Sequence, residues 1–246
     1  MGLNPIEAES MRIIRQRADL SHLGPLARAV VERVVHATAD FDFVETMVVD
    51  EVAARTGAEA IAAGATVVCD TRMVASGVTG VDCVVAIDSA GIPEATGAGA
   101  IQGVDTPPRV EAPAGGGSPA GALVRTRSAE GIRAVAASYA RGAVWVVGCA
   151  PTALFELVGL CESGEVEPVL VVGTPVGFVG AAESKERLRA AGIPQISNVG
   201  EKGGSAVAAA VVNALVRWVS DSAGGAGDAG RIAGRGDGDE ARRGAS

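Results

Sequence analysis

Apolar residues fall along this chain in two rhythms. Short, nearly unbroken runs are long enough for strands and too short for helices: Thr66-Val-Val-Cys-Asp70, Asp82-Cys-Val-Val-Ala-Ile87, Val144–Val147, 169–172 and Pro194-Gln-Ile-Ser197. Between them lie segments of helical spacing. A charged one covers 5–18, and one over 25–35 stacks Leu26, Val30 and Val34 on one side. An Ala-rich helix over 51–64 is stopped by Gly64, a short crossover helix covers 71–76, and the most apolar helix covers 206–218. Residues 43–49 are a further short apolar segment. The alternation predicts an α/β fold, with a mostly parallel sheet of about five strands and helices on both faces. It fills residues 1–222 as one domain, crossed by a long Gly- and Pro-rich loop over 89–122 that reads as a lid or linker. Residues 223–246 lack apolar anchors and read as a disordered tail.

Two strand ends repeat one device. The runs at 144–147 and 169–172 each meet a glycine (Gly148, Gly173), then a proline (Pro151, Pro175), then a helical pattern. Proline suits a first helical turn, where its missing N–H costs nothing. The two turns should sit side by side at the carboxyl ends of adjacent strands, where open α/β sheets bind ligands. Each offers main-chain N–H groups and the positive end of a helix dipole, a pairing that favours anions. Cys149, Thr152 and Thr174 lie in these turns and join the candidate binding set. A third junction, Asn198-Val-Gly-Glu-Lys-Gly-Gly-Ser205, adds Lys202 for charge, Gly203 and Gly204 for close backbone approach, and Ser205 as a helix cap. In Arg125-Thr-Arg-Ser-Ala129, Ser128 can open a helix, with Arg127 beside it as a carboxylate or phosphate grip or a plain surface residue.

Composition narrows the chemistry. A formal net charge of −8 argues against nucleic acid, whose binders carry a basic face. No apolar run is long enough to span a bilayer and no signal peptide is evident, so the chain reads as cytoplasmic. The cysteines show no C-x-x-C spacing; Cys69, Cys83 and Cys161 read as small apolar fillers, and no metal site is expected. His22 sits in a charged turn. His36 stands where an apolar helix face gives way to a polar turn, either as a structural residue or as the first candidate for a general acid. Asp70, just after its strand, either points into the crevice or caps the next helix. Arg12, Arg15 and Arg17 form a solvated face or an arm reaching an anionic ligand, and Ser21 could cap the helix that follows. No P-loop and no G-x-S-x-G elbow occur, and the glycines at 173–180 are a loose echo of a dinucleotide fingerprint. What remains suits a large polycarboxylate bound by turns, arginines and one usable imidazole.

The pieces Ile13-Ile14 with Ala18-Asp-Leu-Ser21, Val35-His36-Ala37, Cys69-Asp70 with Met73-Val-Ala75, Thr126-Arg-Ser-Ala129, Ala150-Pro-Thr-Ala-Leu-Phe155, Gly173-Thr-Pro-Val-Gly-Phe-Val-Gly-Ala-Ala-Glu-Ser-Lys185 and Gly203-Gly-Ser-Ala206 run in order along residues 11–216. Together they resemble the precorrin-8X methylmutase family of cobalamin biosynthesis, which includes the cobalt-precorrin-8 methylmutases. The resemblance implies an α/β homodimer with no cofactor, an isomerase that moves a methyl group from C-11 to C-12 of precorrin-8X (or cobalt-precorrin-8) to give hydrogenobyrinate (or cobyrinate). It implies that His36 donates a proton near ring C of the tetrapyrrole, easing a 1,5-sigmatropic shift. It carries Arg127 over as a substrate contact, and Arg15 and Ser21 as binders of peripheral carboxylates. Where the family reads Gly-Asn-Ala-Pro-Thr, this chain has Gly148-Cys-Ala-Pro-Thr152. The exchange of an amide for a thiol keeps two alternatives open: a corrinoid-binding or carrier protein without catalysis, and, on the glycine-rich junctions alone, a nucleotide-binding α/β enzyme.

Overall fold

The structure is a computed structural model that describes residues 4–91 and 126–232. These residues form one six-stranded sheet, one strand more than expected. In chain order the strands are β1 (Met47–Val49), β2 (Val67–Cys69), β3 (Cys83–Val85), β4 (Val144–Val147), β5 (Leu170–Gly173) and β6 (Gln195–Asn198), and their spatial order is β1-β6-β5-β4-β2-β3. All neighbours pair in parallel except β1, which runs antiparallel along the β6 edge with Met47 opposite Asn198. The segment 43–49 therefore splits into a short helix α3 (Asp42–Thr46) and this edge strand.

The central runs β2, β4 and β5 bury both their faces, which is why they read as continuous rather than alternating. One face packs Val67, Val146, Leu170, Val172 and Ile196 beneath α1 (Pro5–Arg17), α2 (Pro25–Thr38), α4 (Glu51–Ala62) and α9 (Ser205–Ile232). The other packs Val68, Trp145, Val147 and Val171 against α6 (Arg127–Ala136), α7 (Pro151–Glu162) and α8 (Ala181–Ala190). The small crossover helix α5 (Arg72–Gly77) drops Val74 into the first core. Helices thus cover both faces, as the pattern predicts.

Local chemistry sets the helix ends. Pro151 opens α7 at its first turn, but Pro175 does not open α8, which starts after Gly180 in the left-handed region. Thr126, not Ser128, caps α6, accepting from the Ala129 N–H. Gly24 precedes α2, and the free amides of its first turn are met by Glu51, which accepts from Leu26 and Ala27 at 3.1 and 2.8 Å. Ser21 therefore caps nothing; its N–H donates to Asp19 instead. α9 continues to Ile232, through the start of the expected tail, while residues 233–246 and most of the 89–122 loop lie outside the described residues. No described helix is long and apolar enough to cross a membrane.

Candidate functional site

Strand order reverses between β2 and β4: the chain leaves β2 for β3 on one side and returns to β4 on the other. Open sheets of this kind form their crevice at that point. Here Asp70, one residue beyond β2, sends its carboxylate across it. Oδ2 accepts from the Cys149 and Ala150 N–H groups at 2.9 and 3.2 Å, and Thr71 donates to Oδ1 at 3.3 Å. Asp70 is fully buried, which pushes its carboxyl above the usual range against the opposing pull of those amides. It neither caps α5 nor points free into the crevice; it caps α7 from the neighbouring strand. The amides of the 148–150 turn, expected to await an external anion, already hold an internal one.

The other two junctions interlock. The Gly204 N–H donates to the Thr174 carbonyl at 2.7 Å, and the Gly177 N–H to the Glu201 carbonyl at 3.1 Å. Gly203 lies so close that a Cβ there would sit 2.3 Å from the Thr174 oxygen. Gly148 likewise abuts the Ser205 Cα, so the 148, 174 and 203 turns form one continuous ledge. Thr174 is fully buried within it, its hydroxyl without a partner among the described residues, so its side chain is withdrawn from the surface of the ledge. Ser205 is the first residue of α9 rather than a cap placed before it, and lies against the half-buried Cys149 thiol. Burial, and then the Asp70 charge, raise that thiol above its ordinary range. Cys149 contributes through its main chain, so the change from the family's asparagine leaves this bond intact. Thr152 meets Thr126 hydroxyl to hydroxyl at 2.7 Å, which draws the starts of α6 and α7 together beside Arg127, an exposed cation with no ion pair among the described residues.

Lys202 is already paired within the chain. Its ammonium bridges Asp40 and Asp42 at 2.6 Å each, and that bond holds the Asp40 carboxyl below its usual range. Those aspartates follow the last turn of α2, where His36 stands, so the bridge ties the ledge to the His36 turn. His36 lines a cavity of ≈ 360 Å³ with Ser10, Ile13, Arg17 and Phe41. Its Nδ1 lies 2.7 Å from Ser10 Oγ, and Arg17 stacks over the Phe41 ring at 6.0 Å. Arg15 and Ser21 are not brought to this site. Arg15 is spent on Glu32, with Nε and Nη2 at 2.8 and 2.7 Å, and lines a different cavity beside Trp218. Burial alone would raise Glu32, but Arg15 and Arg28 outweigh it and hold the carboxyl low. Ser10 was not singled out by the sequence reading, which named Arg17 only within the possible arm on the same helix.

A fully buried lysine stiffens the ledge from below. Lys185 donates to the Lys202 carbonyl at 2.6 Å and to Asn198 Oδ1 at 3.2 Å. Burial, and then the Arg189 charge, pull its pKa down to about 8. Because the folded pKa lies below the unfolded one, burying the ammonium costs stability at neutral pH, and that cost is relieved as pH rises from about 8 towards 10.5. Lys185→Met should flatten the stability profile across that window by about 3 kcal/mol relative to wild type, measured by urea unfolding at a series of pH values. A window unchanged by the substitution would refute the assignment.

The sequence profile of the precorrin-8X methylmutases matches residues 5–94 and 117–218. The chain belongs to that family. The precorrin-8X methylmutase of Pseudomonas aeruginosa is 39% identical over 212 residues, which are 85% of this chain and 93% of that one. The cobalt-precorrin-8 methylmutase of Priestia megaterium is 35% identical over 210 residues, 85% of each chain. The crystal structure of precorrin-8X methylmutase from Thermus thermophilus superposes with a TM-score of 0.70 at 32% identity, covering 89% of this chain and 99% of that one. The protein is accordingly an isomerase of cobalamin biosynthesis, and its six-stranded sheet is the fold of this methylmutase family.

Proposed function

We propose that this protein converts precorrin-8X, or its cobalt form, to hydrogenobyrinate or cobyrinate by moving the C-11 methyl group to C-12, with His36 as general acid. The observation that carries the reading is the half-buried imidazole of His36. It is held at Nδ1 by Ser10, has no hydrogen bond at Nε2 among the described residues, and lies on a cavity walled by Ile6, Ile13, Val35 and Phe41. Protonation near ring C draws electron density from the conjugated ring and lowers the barrier to the 1,5-shift. The proton returns to Nε2 as the rearranged ring forms, so substrate and product are isomers.

Acetate and propionate arms need cations that the protein has not already spent. Arg17 and Arg127 have no ionic partner among the described residues and can take bidentate carboxylates, whereas Arg15 and Lys202 are engaged. Thr152 sits beside Arg127, and Gly203 offers backbone close to the same ledge. The reading also makes the enzyme a cytoplasmic homodimer. Phe178 and Val179 in the 174–180 loop are 89% and 88% exposed, and a partner copy would cover them.

Mixing the purified protein with precorrin-8X should give the absorbance spectrum of hydrogenobyrinate. A bound but unconverted spectrum would overturn the catalytic reading. Light scattering should return twice the chain mass, and a monomer at micromolar concentration would overturn the dimer.

A further inference from the structure

The bond that fixes His36 comes from a serine the sequence offers no chemical reason to notice. Ser10 Oγ lies 2.7 Å from His36 Nδ1, although the two residues stand twenty-six positions apart in the chain. We infer that Ser10 is a positioning residue for His36: its Oγ accepts the Nδ1–H and keeps that proton in place, so that only Nε2 loads and delivers the reacting proton. The inference rests on the reading of His36 as the general acid.

The roles in this bond follow from proton bookkeeping. An imidazolium carries hydrogen on both nitrogens, so in the acid form Nδ1–H donates and the Ser10 hydroxyl accepts. When Nε2 gives up its proton, the ring left behind is the Nδ1–H tautomer, and the same bond persists with no ring flip and no hydroxyl rotation. A solvated neutral histidine prefers the opposite tautomer, Nε2–H, which is a far weaker acid at the position facing the cavity. The hydrogen bond on one ring nitrogen decides what the other can do.

The rest of α1 explains how a surface helix can hold this geometry. Met11 and Ile14 are buried in the core, and ion pairs flank Ser10 on either side in sequence. Glu7 pairs with Arg33 and, at 3.1 Å, with Arg217 of α9, while Arg15 grips Glu32 of α2. The other charged groups around His36 make their contacts elsewhere. Glu9 is bridged by Arg12 at 2.6 Å, Arg17 lies over Phe41, Glu32 is held by Arg15 and Arg28, and Asp40 and Asp42 share Lys202. None of them hydrogen-bonds the ring among the described residues, which leaves Ser10 to set its tautomer.

The chain has two histidines, so imidazole nitrogen spectra of protein labelled with 15N-histidine give two ring systems, and His36→Ala assigns them. His22, exposed in the turn after α1, is the internal reference. At a pH where both rings are neutral, wild-type His36 should be Nδ1–H while His22 is Nε2–H. Ser10→Ala, a change that favours the helix, should switch His36 to Nε2–H and lower the single-turnover rate about tenfold with corrinoid affinity unchanged. Ser10→Thr should restore both. A wild-type His36 found as Nε2–H, or a tautomer unmoved by Ser10→Ala, overturns the assignment of Ser10 even if His36 is essential. A His36→Ala enzyme that turns over normally overturns the general-acid reading instead, whatever the spectra, and with it any part for Ser10 in the rate.

Discussion

Replacing His36 with alanine should stop the rearrangement while leaving the corrinoid bound. A positioned general acid contributes on the order of 10² to 10⁴ in rate, and no second titrating group hydrogen-bonds into its place among the described residues. Affinity for the polycarboxylate should change by less than tenfold, because the proposed grips on its arms are guanidinium groups and main chain rather than the imidazole. His36→Ala should also fold, since its side chain is half-buried at a helix end and Val34 and Val35 keep α2 seated in the core. The check is a stopped-flow absorbance trace with enzyme in excess over precorrin-8X. Turnover within a few-fold of wild type would remove the proposed acid.

The second large effect is expected at Gly203. An alanine Cβ there would sit 2.3 Å from the Thr174 carbonyl oxygen and 2.7 Å from that of Pro175, and the backbone φ of +153° is one that side chains rarely adopt. Both obstacles are main chain, so neither can swing aside, and the ledge itself must open. Gly203→Ala should cost about 3 kcal/mol or more, a fall in Tm of roughly 6–12 °C for a chain of this size. It should also weaken corrinoid binding, because the Gly204–Thr174 bond and the Lys202 bridge to the His36 turn move with it. Gly200→Ala is the control. It shares a positive φ of +84° but has nothing within 4 Å of the new Cβ, so it should lose only about 1 kcal/mol. Equal losses at the two positions would mean that backbone conformation, not the close approach, sets the cost.

The strands were legible because buried parallel strands leave an unmistakable mark, an apolar run with no polar alternation. The edge strand β1 was not, because three residues paired antiparallel on β6 carry too little pattern to separate from the helix before them. Strand order was silent for a deeper reason: the ladder bonds are main chain to main chain and say nothing through side chains. The repeated Gly–Pro device held for Pro151 and failed for Pro175, since a proline preset for a helix also suits a loop, and the seven residues 174–180 decide between them.

At the candidate site, the sequence reading picked out the turns that the fold brings together but not what already fills them. Asp70, Lys202 and Arg15 are each consumed by a partner distant in the chain, and a charged residue looks equally free in a sequence whether or not it is paired. Ser10 is the converse case. An isolated serine in a charged helix carries no signal until folding brings α1 across the end of α2.

The most direct measurement is the crystal structure of this protein with its corrinoid product bound. It should place His36 Nε2 within about 3.5 Å of the macrocycle on the side of the C-12 methyl, with Ser10 still on Nδ1 and propionate arms on Arg17 or Arg127. A macrocycle seated against the ledge with His36 turned away, and no histidine of a partner copy reaching the ring, would contradict the account.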